Sequence, residues 1–528
     1  MRPYFPLSLI LIFLFPLHLT LRAQYIPEPV ANTALYSFID ELAVDGIIKL
    51  NGAVKPYSRR NILSFLEQAS ASADKLSSRQ QKEVLFYLND FGDPPVSAKF
   101  KLLLNPAVAR YNDSLFNVTV SPVLGFSAGS DGSIAWKNGI RIYGSYGRWS
   151  FFAALQDNHQ DPVLSRPDYL TRERGGHLKN GTDFSEMTGG AAYTWKWGDI
   201  SFLKDSPVWG SGYAGTNILT GRAPSFMQLK LHLMPAKWVE MTWFNSWLTS
   251  MVVDSTRSFW VSNAYGTDYR EVYHYKFFAA SLFTFKPVSR LNISVGNSII
   301  FSDPRLVPYY LMPFFFYKSV DHGVNTGIDN SNAQLFFDIS SYNIKHLHIY
   351  GTLFIDELST ERFTNSEYNF FSWKGGFRTG NFPFLKNLWA SAEVTFTYPL
   401  TFQHFVPVLT FENEGFNMGH YLKDNTRSIW MALDYKPIRG LALRLWHERS
   451  ERGPDYQNLG GERTGLPYME SVEWRNIATG VEISYMITGG VRADIRFISS
   501  LVEGEESWTA PHLYGKTKTF SGGLVWGF

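Results

Sequence analysis

The chain is predicted to be mainly β, a transmembrane antiparallel β-barrel of about 16–18 strands behind a small N-terminal α-helical bundle. Three observations predict it. From residue 96 onward, apolar side chains recur at every second position over runs of about ten residues, the length a tilted strand needs to cross a bilayer. The composition is aromatic and sparsely charged: of 528 residues, 16% are Phe, Trp or Tyr and only 18% are Asp, Glu, Lys or Arg. The C-terminal stretch alternates Phe520, Leu524, Trp526 and Phe528 with Ser521, Gly523, Val525 and Gly527, and stops on the aromatic ring.

Composition also removes whole classes of function. Lys and Arg total 49 against 47 Asp and Glu, a net charge of +2, so no basic nucleic-acid-binding surface is expected. With no Cys, disulfides, thiolate metal sites and cysteine nucleophiles are absent. The aromatic content excludes a disordered chain.

Residues 1–23 read as a secretory signal peptide. Arg2 supplies the positive start, Leu7 to Leu21 is almost wholly apolar, and Ala23 precedes the expected cut. Beyond it no apolar run reaches the roughly 18 residues of a membrane helix. The densest runs are FFAAL (151–155) and LMPFFFY (311–317).

Residues 24–95 form the predicted bundle. Leu35, Phe38, Ile39 and Leu42 share one helical face, with Asn32 or Thr33 as cap and Gly46 at the end. Ser58 caps a second helix with Ile62, Phe65, Leu66 and Ala69 as its stripe. Ser77 and Gln80 make a capping box for a third, whose apolar face is Leu85, Leu88 and Phe91. Helices this short need one another or a larger body to be stable.

Residues 96–528 are the predicted outer-membrane barrel. In 291–301, Leu291, Ile293, Val295, Ile299 and Phe301 lie on one side, interrupted by Asn297; Asn292, Ser294, Gly296 and Ser298 lie on the other. Stretches 239–247, 347–355, 388–398, 441–445, 481–487 and 491–501 repeat the alternation. Their apolar sides should meet lipid. Glu240, Glu393, Arg444, Glu482, Arg492, Asp494 and Arg496 should line a wet lumen. Trp149, Trp247, Trp389, Tyr398 and Trp446 fall at strand ends, where rings suit the headgroup level. The stretches 157–182, 254–270, 361–369 and 449–471 read as the longer loops.

Four pieces in order carry a family resemblance: LYSFIDELAVDGIIKLNGAVKPYSRR (35–60), DSPVWGSGYAGTNILTGRAPSF (205–226), GIDNSNAQLFFDIS (327–340) with LFIDELS (353–359), and EGFNMGHYLKDNTRSIWMALDY (414–435). In these the chain resembles the Wzi-like capsule assembly family of outer-membrane β-barrel proteins. The resemblance implies a lectin-like barrel, its helical bundle (24–95) on the periplasmic side, that binds and anchors capsular polysaccharide or exopolysaccharide at the cell surface. The implied partners are that polymer, outer-membrane lipid and the barrel-insertion machinery, and no cofactor is implied.

Candidate sugar contacts follow from chemistry. Rings pack on the C–H faces of sugars, and polar groups pair with hydroxyls. Trp209, Tyr213, Arg222, Asp329, Asn330, His420, Lys423 and Asp424 offer such groups in these pieces. Six of them have a plainer use. Trp209 serves more simply as an interfacial girdle residue or barrel packing, Arg222 and Asp424 as a lumenal ion pair, Asp329-Asn330 as a turn, and His420 as a structural residue. No GxSxG elbow or HExxH motif appears. His346 and His348 stand at i, i+2 with no third ligand in view, so neither a catalytic nor a metal site is expected. A saccharide channel is the alternative function, and a barrel hydrolase a more distant one.

Overall fold

The computed structural model describes residues 25–92, 97–102, 107–324, 328–358, 369–457 and 466–528; the predicted signal peptide lies outside them. Eighteen antiparallel strands close into a barrel. In chain order they are β1 Phe116–Gly129, β2 Ile134–Tyr146, β3 Trp149–Asp161, β4 Asp183–Trp195, β5 Gly198–Asp205 and β6 Phe226–Ala236. Next come β7 Val239–Val253, β8 Tyr273–Phe285, β9 Leu291–Phe301, β10 Ser331–Ser341, β11 Leu347–Glu357 and β12 Phe370–Phe382. The last are β13 Leu385–Thr397, β14 Thr426–Tyr435, β15 Leu441–Arg452, β16 Trp474–Thr488, β17 Val491–Gly504 and β18 Gly515–Trp526. Closure runs from Ser521↔Gly129 to Trp526↔Leu124. The remaining half of that edge of β1 is covered by Ala109–Asn112, which pairs in turn with Ser97–Leu102.

The two-residue period sorts side chains as a membrane barrel requires. β14 alternates buried and exposed at every position: Ile429, Met431, Leu433 and Tyr435 face out, while Ser428, Trp430, Ala432 and Asp434 face in. The predicted lumenal charges do point inward. Glu240 meets His232 and Lys286, Glu393 meets Lys374, and Arg444 meets Asp434.

Two of the predicted girdle rings belong inside. Trp389 is fully buried in the bundle's apolar cluster, and Trp446 donates to Glu482 Oε1 at 3.0 Å within the lumen. Strand parity places them there, because each sits an even number of residues from an inward carboxylate. Trp149 and Trp247 are exposed on the outer wall. At the C-terminus the alternation runs only to Trp526. Gly527 adopts φ +79°, and Phe528 turns back to lie over the Arg492 guanidinium at 5.4 Å.

Among the described residues three α-helices precede the barrel: α1 Thr33–Val44, α2 Arg59–Ser70 and α3 Ser78–Phe91. The α1 stripe is buried, Ser58 caps α2, and the Ser77–Gln80 capping box forms. Asn32 stands at the start of α1 but its side chain donates to Glu28 instead of capping. The buried face of α3 keeps part of the expected stripe, with Phe91 buried and Leu88 packed on the bundle cluster, but is rotated toward polar residues. Leu85 is 61% exposed, whereas Arg79, Gln80, Glu83, Val84, Tyr87 and Phe91 are buried. The reason is electrostatic: fully buried Glu41 of α1 accepts from Arg79, from Gln80 at 2.9 Å and from Lys436 at 3.0 Å. An unpaired carboxylate there would be prohibitively costly, so the polar side of α3 turns inward to meet it.

The bundle sits against the short turns between strands. Asp45 accepts from Asn381, Asn292 donates to Leu50 O, and Asn51 donates to Glu240. Long connections leave the opposite end. They include 162–182, 206–225, 302–330 and 398–425, of which the last three are not among the predicted long loops. Residues 157–161 and 449–452, expected in loops, extend β3 and β15. Residues 361–368 of the expected 361–369 loop and 458–465 of the expected 449–471 loop lie outside the described residues.

Candidate functional site

The lumen has two unlike halves. Against β7–β12 it is filled. Val54–Lys55, Val208–Trp209 and Leu219–Thr220 form a small antiparallel sheet inside the barrel, with Trp209 as the residue both neighbours face. Trp209 is wholly buried, its ring 5.1 Å from Phe244 and 5.8 Å from Phe336. Phe402, Phe411 and Phe416 of the 398–425 connection join the same cluster, with inward Phe278, Leu282, Ile300 and Phe354. Gly210 makes the sharp exit after Trp209 at φ +96°. Wall groups then grip the backbone: Asp338 accepts from Ser211 N at 2.7 Å, and Glu393 accepts from Tyr213 N and from Ala214 N at 3.0 Å.

The other half, against β1–β4 and β15–β18, holds three adjoining chambers of about 530, 270 and 440 Å³; Gln160 lines all three. The upper one lies among the long connections and is walled by Trp446, Trp474, Trp508 and Tyr421. Its polar groups are held in place. Arg172 donates to Glu448 Oε2 at 2.9 Å and lies over the Tyr421 ring at 4.8 Å; Tyr421 donates to Glu448 Oε1. Glu448 and Tyr421 outweigh burial in holding the Arg172 guanidinium protonated. Trp474 Nε1 donates to Thr509 at 2.9 Å. Arg496 lines the upper and middle chambers and has no ion-pair partner among the described residues; Lys137 faces the middle and lower ones in the same state. The lower chamber is bounded by Pro27, Pro29, Pro56 and Phe528 at the bundle end.

Flat rings beside fixed donors and acceptors, with two unengaged cations deeper in, make a surface suited to polyhydroxylated and anionic ligands.

The predicted contacts are scattered across this frame. Trp209 is plug core, away from any chamber. Tyr213 donates to Asp40 Oδ1 at 2.9 Å and contacts His348 Nδ1 at 2.7 Å, joining plug, bundle and wall. Burial raises the Asp40 carboxyl, with Arg378 opposing. Arg222 lines the lower chamber yet spends its guanidinium on the carbonyls of Thr171, Arg166 and Tyr169; burial lowers it to about 10. It does not pair with Asp424, which is buried, accepts from Phe402 N at 2.8 Å, and is raised by burial to about 6. His420 is buried against Tyr421 and held well below its ordinary value by burial and by Lys374 and Arg172. Lys423 takes φ +63° in the same turn, and burial lowers its amine. Asp329 (φ +49°) and Asn330 form the turn into β10, remote from the chambers. The two histidines separate: His348 bonds Tyr213 and Ser340 in the lumen, while His346 meets Asp45 at the bundle.

Sequence reasoning missed Arg172, Tyr421, Trp446, Glu448, Trp474, Arg496 and Trp508 as a set. Parity signalled Trp446, which lies midway between Arg444 and Glu448 on one strand face. Nothing local signalled Arg172 or Trp508, which arrive from distant loops.

Fold and lumen together define a barrel of the outer-membrane type with an internal plug. It is similar to Wzi of Escherichia coli, an outer-membrane protein involved in group 1 capsule assembly and described as a carbohydrate-binding β-barrel: TM-score 0.59, 14% identity, 96% of this chain and 99% of that one covered. At that identity the likeness establishes the fold, and it meets the family resemblance read from the sequence at that level. OccK5 (OpdH) of Pseudomonas aeruginosa (TM-score 0.42, 12% identity, 78% and 97% covered) and OccAB3 of Acinetobacter baumannii (0.43, 8%, 78% and 98%) are also similar. No protein-family model and no curated relative matches the sequence.

Proposed function

We propose that this protein is a non-catalytic outer-membrane lectin that holds capsular polysaccharide or exopolysaccharide at the cell surface, exported by a cleaved signal peptide, with its helical bundle in the periplasm. One observation carries the reading. The upper chamber places three tryptophans and a tyrosine around the fixed Arg172–Glu448 pair at the long-loop end of the barrel. A polymer segment entering from outside would stack on the rings and bond to the pair. Arg496 and Lys137 suit the acidic groups that such polymers carry. The plug and the bundle across the base favour holding over transport; a saccharide channel is the second reading, supported by the wet half alone.

The test is retention. A deletion strain should still make polymer but release it into the medium. The intact gene should restore the bound layer, and a Trp446→Ala, Trp508→Ala double variant, inserted at normal levels, should not. Deletion cells that keep a full polymer layer would overturn the proposal.

A further inference from the structure

One polar patch of the outer wall lies on β7–β9. Trp243, Ser281 and Asn297 lie in one row across three strands and all face outward. Asn245 faces outward beside them. In lipid these groups would lack partners, yet they are buried. The cover is residues 302–324, which leave the top of β9 and fold back down the outside of the barrel. Trp243 Nε1 donates to Tyr317 OH at 2.9 Å, Tyr317 N donates to Asn297 Oδ1 at 3.0 Å, and Asn245 Nδ2 donates to Tyr310 O at 3.2 Å. Asn297 also donates to Ser281 Oγ at 2.9 Å. The rings of Tyr310 and Tyr317 seal Ala279, Ile299 and Phe301 beneath them. Asn297, the one polar break in the outer face of β9, is thus a docking point.

The segment reaches deep. Phe314 lies 6.2 Å from Phe283, which pairs with Val295. From Phe301 down to Val295 is roughly 20 Å along the strand at ~3.3 Å per residue, or about 15 Å of depth at the usual barrel tilt, more than half of the ~25 Å apolar band of such barrels. Its far side presents Leu306, Met312, Phe314, Phe315 and Phe316 outward, with Phe314 66% exposed. These continue the exposed apolar surface of Val295, Phe337 and Ile339 on the wall beside it. Its backbone bonds are largely its own: Tyr310 N, Met312 N, Phe315 N and Val320 N donate three or four residues back, and Pro308 and Pro313 have no N–H to satisfy.

We infer that residues 302–324 form a strap whose apolar stretch, residues 306–317, is embedded in the bilayer, where it shields a polar strip of the wall and makes the lipid contact of that sector through acyl chains packed on Met312 and Phe314–Phe316. This rests on the membrane-spanning fold and not on saccharide binding.

The chain has no native Cys, so single cysteines can be spin-labelled directly. Phe314→Cys and Met312→Cys are each compared, in the full-length protein in phosphatidylcholine–phosphatidylglycerol vesicles, with Phe337→Cys on the wall and Tyr265→Cys at a fully exposed loop tip. Collision with oxygen reports lipid, and collision with a water-soluble nickel chelate reports solvent. The strap labels should match position 337, with an oxygen-to-nickel ratio about tenfold above that at 265. A ratio like that at 265 would put the strap in water. Low collision with both reagents would mean that protein covers it, as in a second copy. Either result overturns the strap while leaving saccharide retention standing; an aqueous reading at 337 would overturn the membrane assignment as well. If one strap variant fails to refold, the other decides.

Discussion

The filled and wet halves of the lumen share one wall design and differ in what the inward positions carry. In β7–β11 those positions include Phe244, Phe278, Leu282, Ile300, Phe336 and Phe354, and two connections fold down to bury them. In β1–β4 and β15–β18 they include Lys137, Asn158, Gln160, Asn476, Arg496 and Thr519, and space remains between them. Apart from the strap-covered patch of β7–β9, both present apolar residues outward. An apolar outer face therefore specifies the membrane, while the inner face specifies whether a barrel is stopped or hollow. The plug is as much a property of the wall as of the loops, because apolar inward residues must be covered and polar ones are content in water.

The largest break in this comparison would come from removing residues 25–92. That takes away Val54–Lys55, one of the strands flanking Trp209, together with Ile26, which packs on Tyr143, Phe152 and Leu203 at the base of the wet half. Full-length protein should be silent in planar bilayers, and the truncated barrel should conduct once its heat-modified gel shift shows it folded. Steady conductance through the intact chain would instead make the wet half a working pore.

Trp209→Ala comes next. The ring has no solvent contact, so its loss should destabilise the plug by about 3–5 kcal/mol and lower the temperature of the heat-modified transition, with little change in polymer binding. Trp446→Ala should do the reverse. Its ring borders open space, so stability should fall by about 1 kcal/mol while affinity for the polymer drops about tenfold. Equal effects of the two variants on both readouts would erase the functional distinction between the halves.

How much of this is legible in the sequence follows from the same contrast. Alternation alone marks strands, outer face and charged lumen, because each strand carries that information locally. The plug is not among the expectations, although the sequence holds its trace: in Trp243-Phe244, Phe277-Phe278, Ile299-Ile300 and Phe336-Phe337 both faces are apolar, and a strand with lipid on one side and water on the other has no reason to be so. Those doublets mark the filled sector. Trp209 suggests a sugar platform because its neighbours are glycines, yet such flexibility also lets a chain turn sharply inside a packed lumen. The upper chamber is illegible for a different reason. Arg172, Tyr421 and Glu448 meet only after a loop of about twenty residues and a plug segment have both folded onto β15.

The smallest expected effect concerns a single carboxyl at the edge of the plug. Burial raises Asp424 from its ordinary 3.8 to about 6. An acid whose native value lies above its unfolded one favours the native state while protonated. Its contribution is thus complete below about pH 4, is lost as pH rises through about 6, and stays level above that. An asparagine at this position keeps an acceptor for Phe402 N without the titration, so Asp424→Asn should gain on the parent by about 1–3 kcal/mol between pH 4 and 7. Calorimetry of both proteins in detergent across that range isolates the effect, because Asp40, Asp45 and Asp90, likewise raised by burial, titrate in both. Parallel curves would mean that Asp424 reaches water in the native state, and that the filled half is wetter at its rim than its packing indicates.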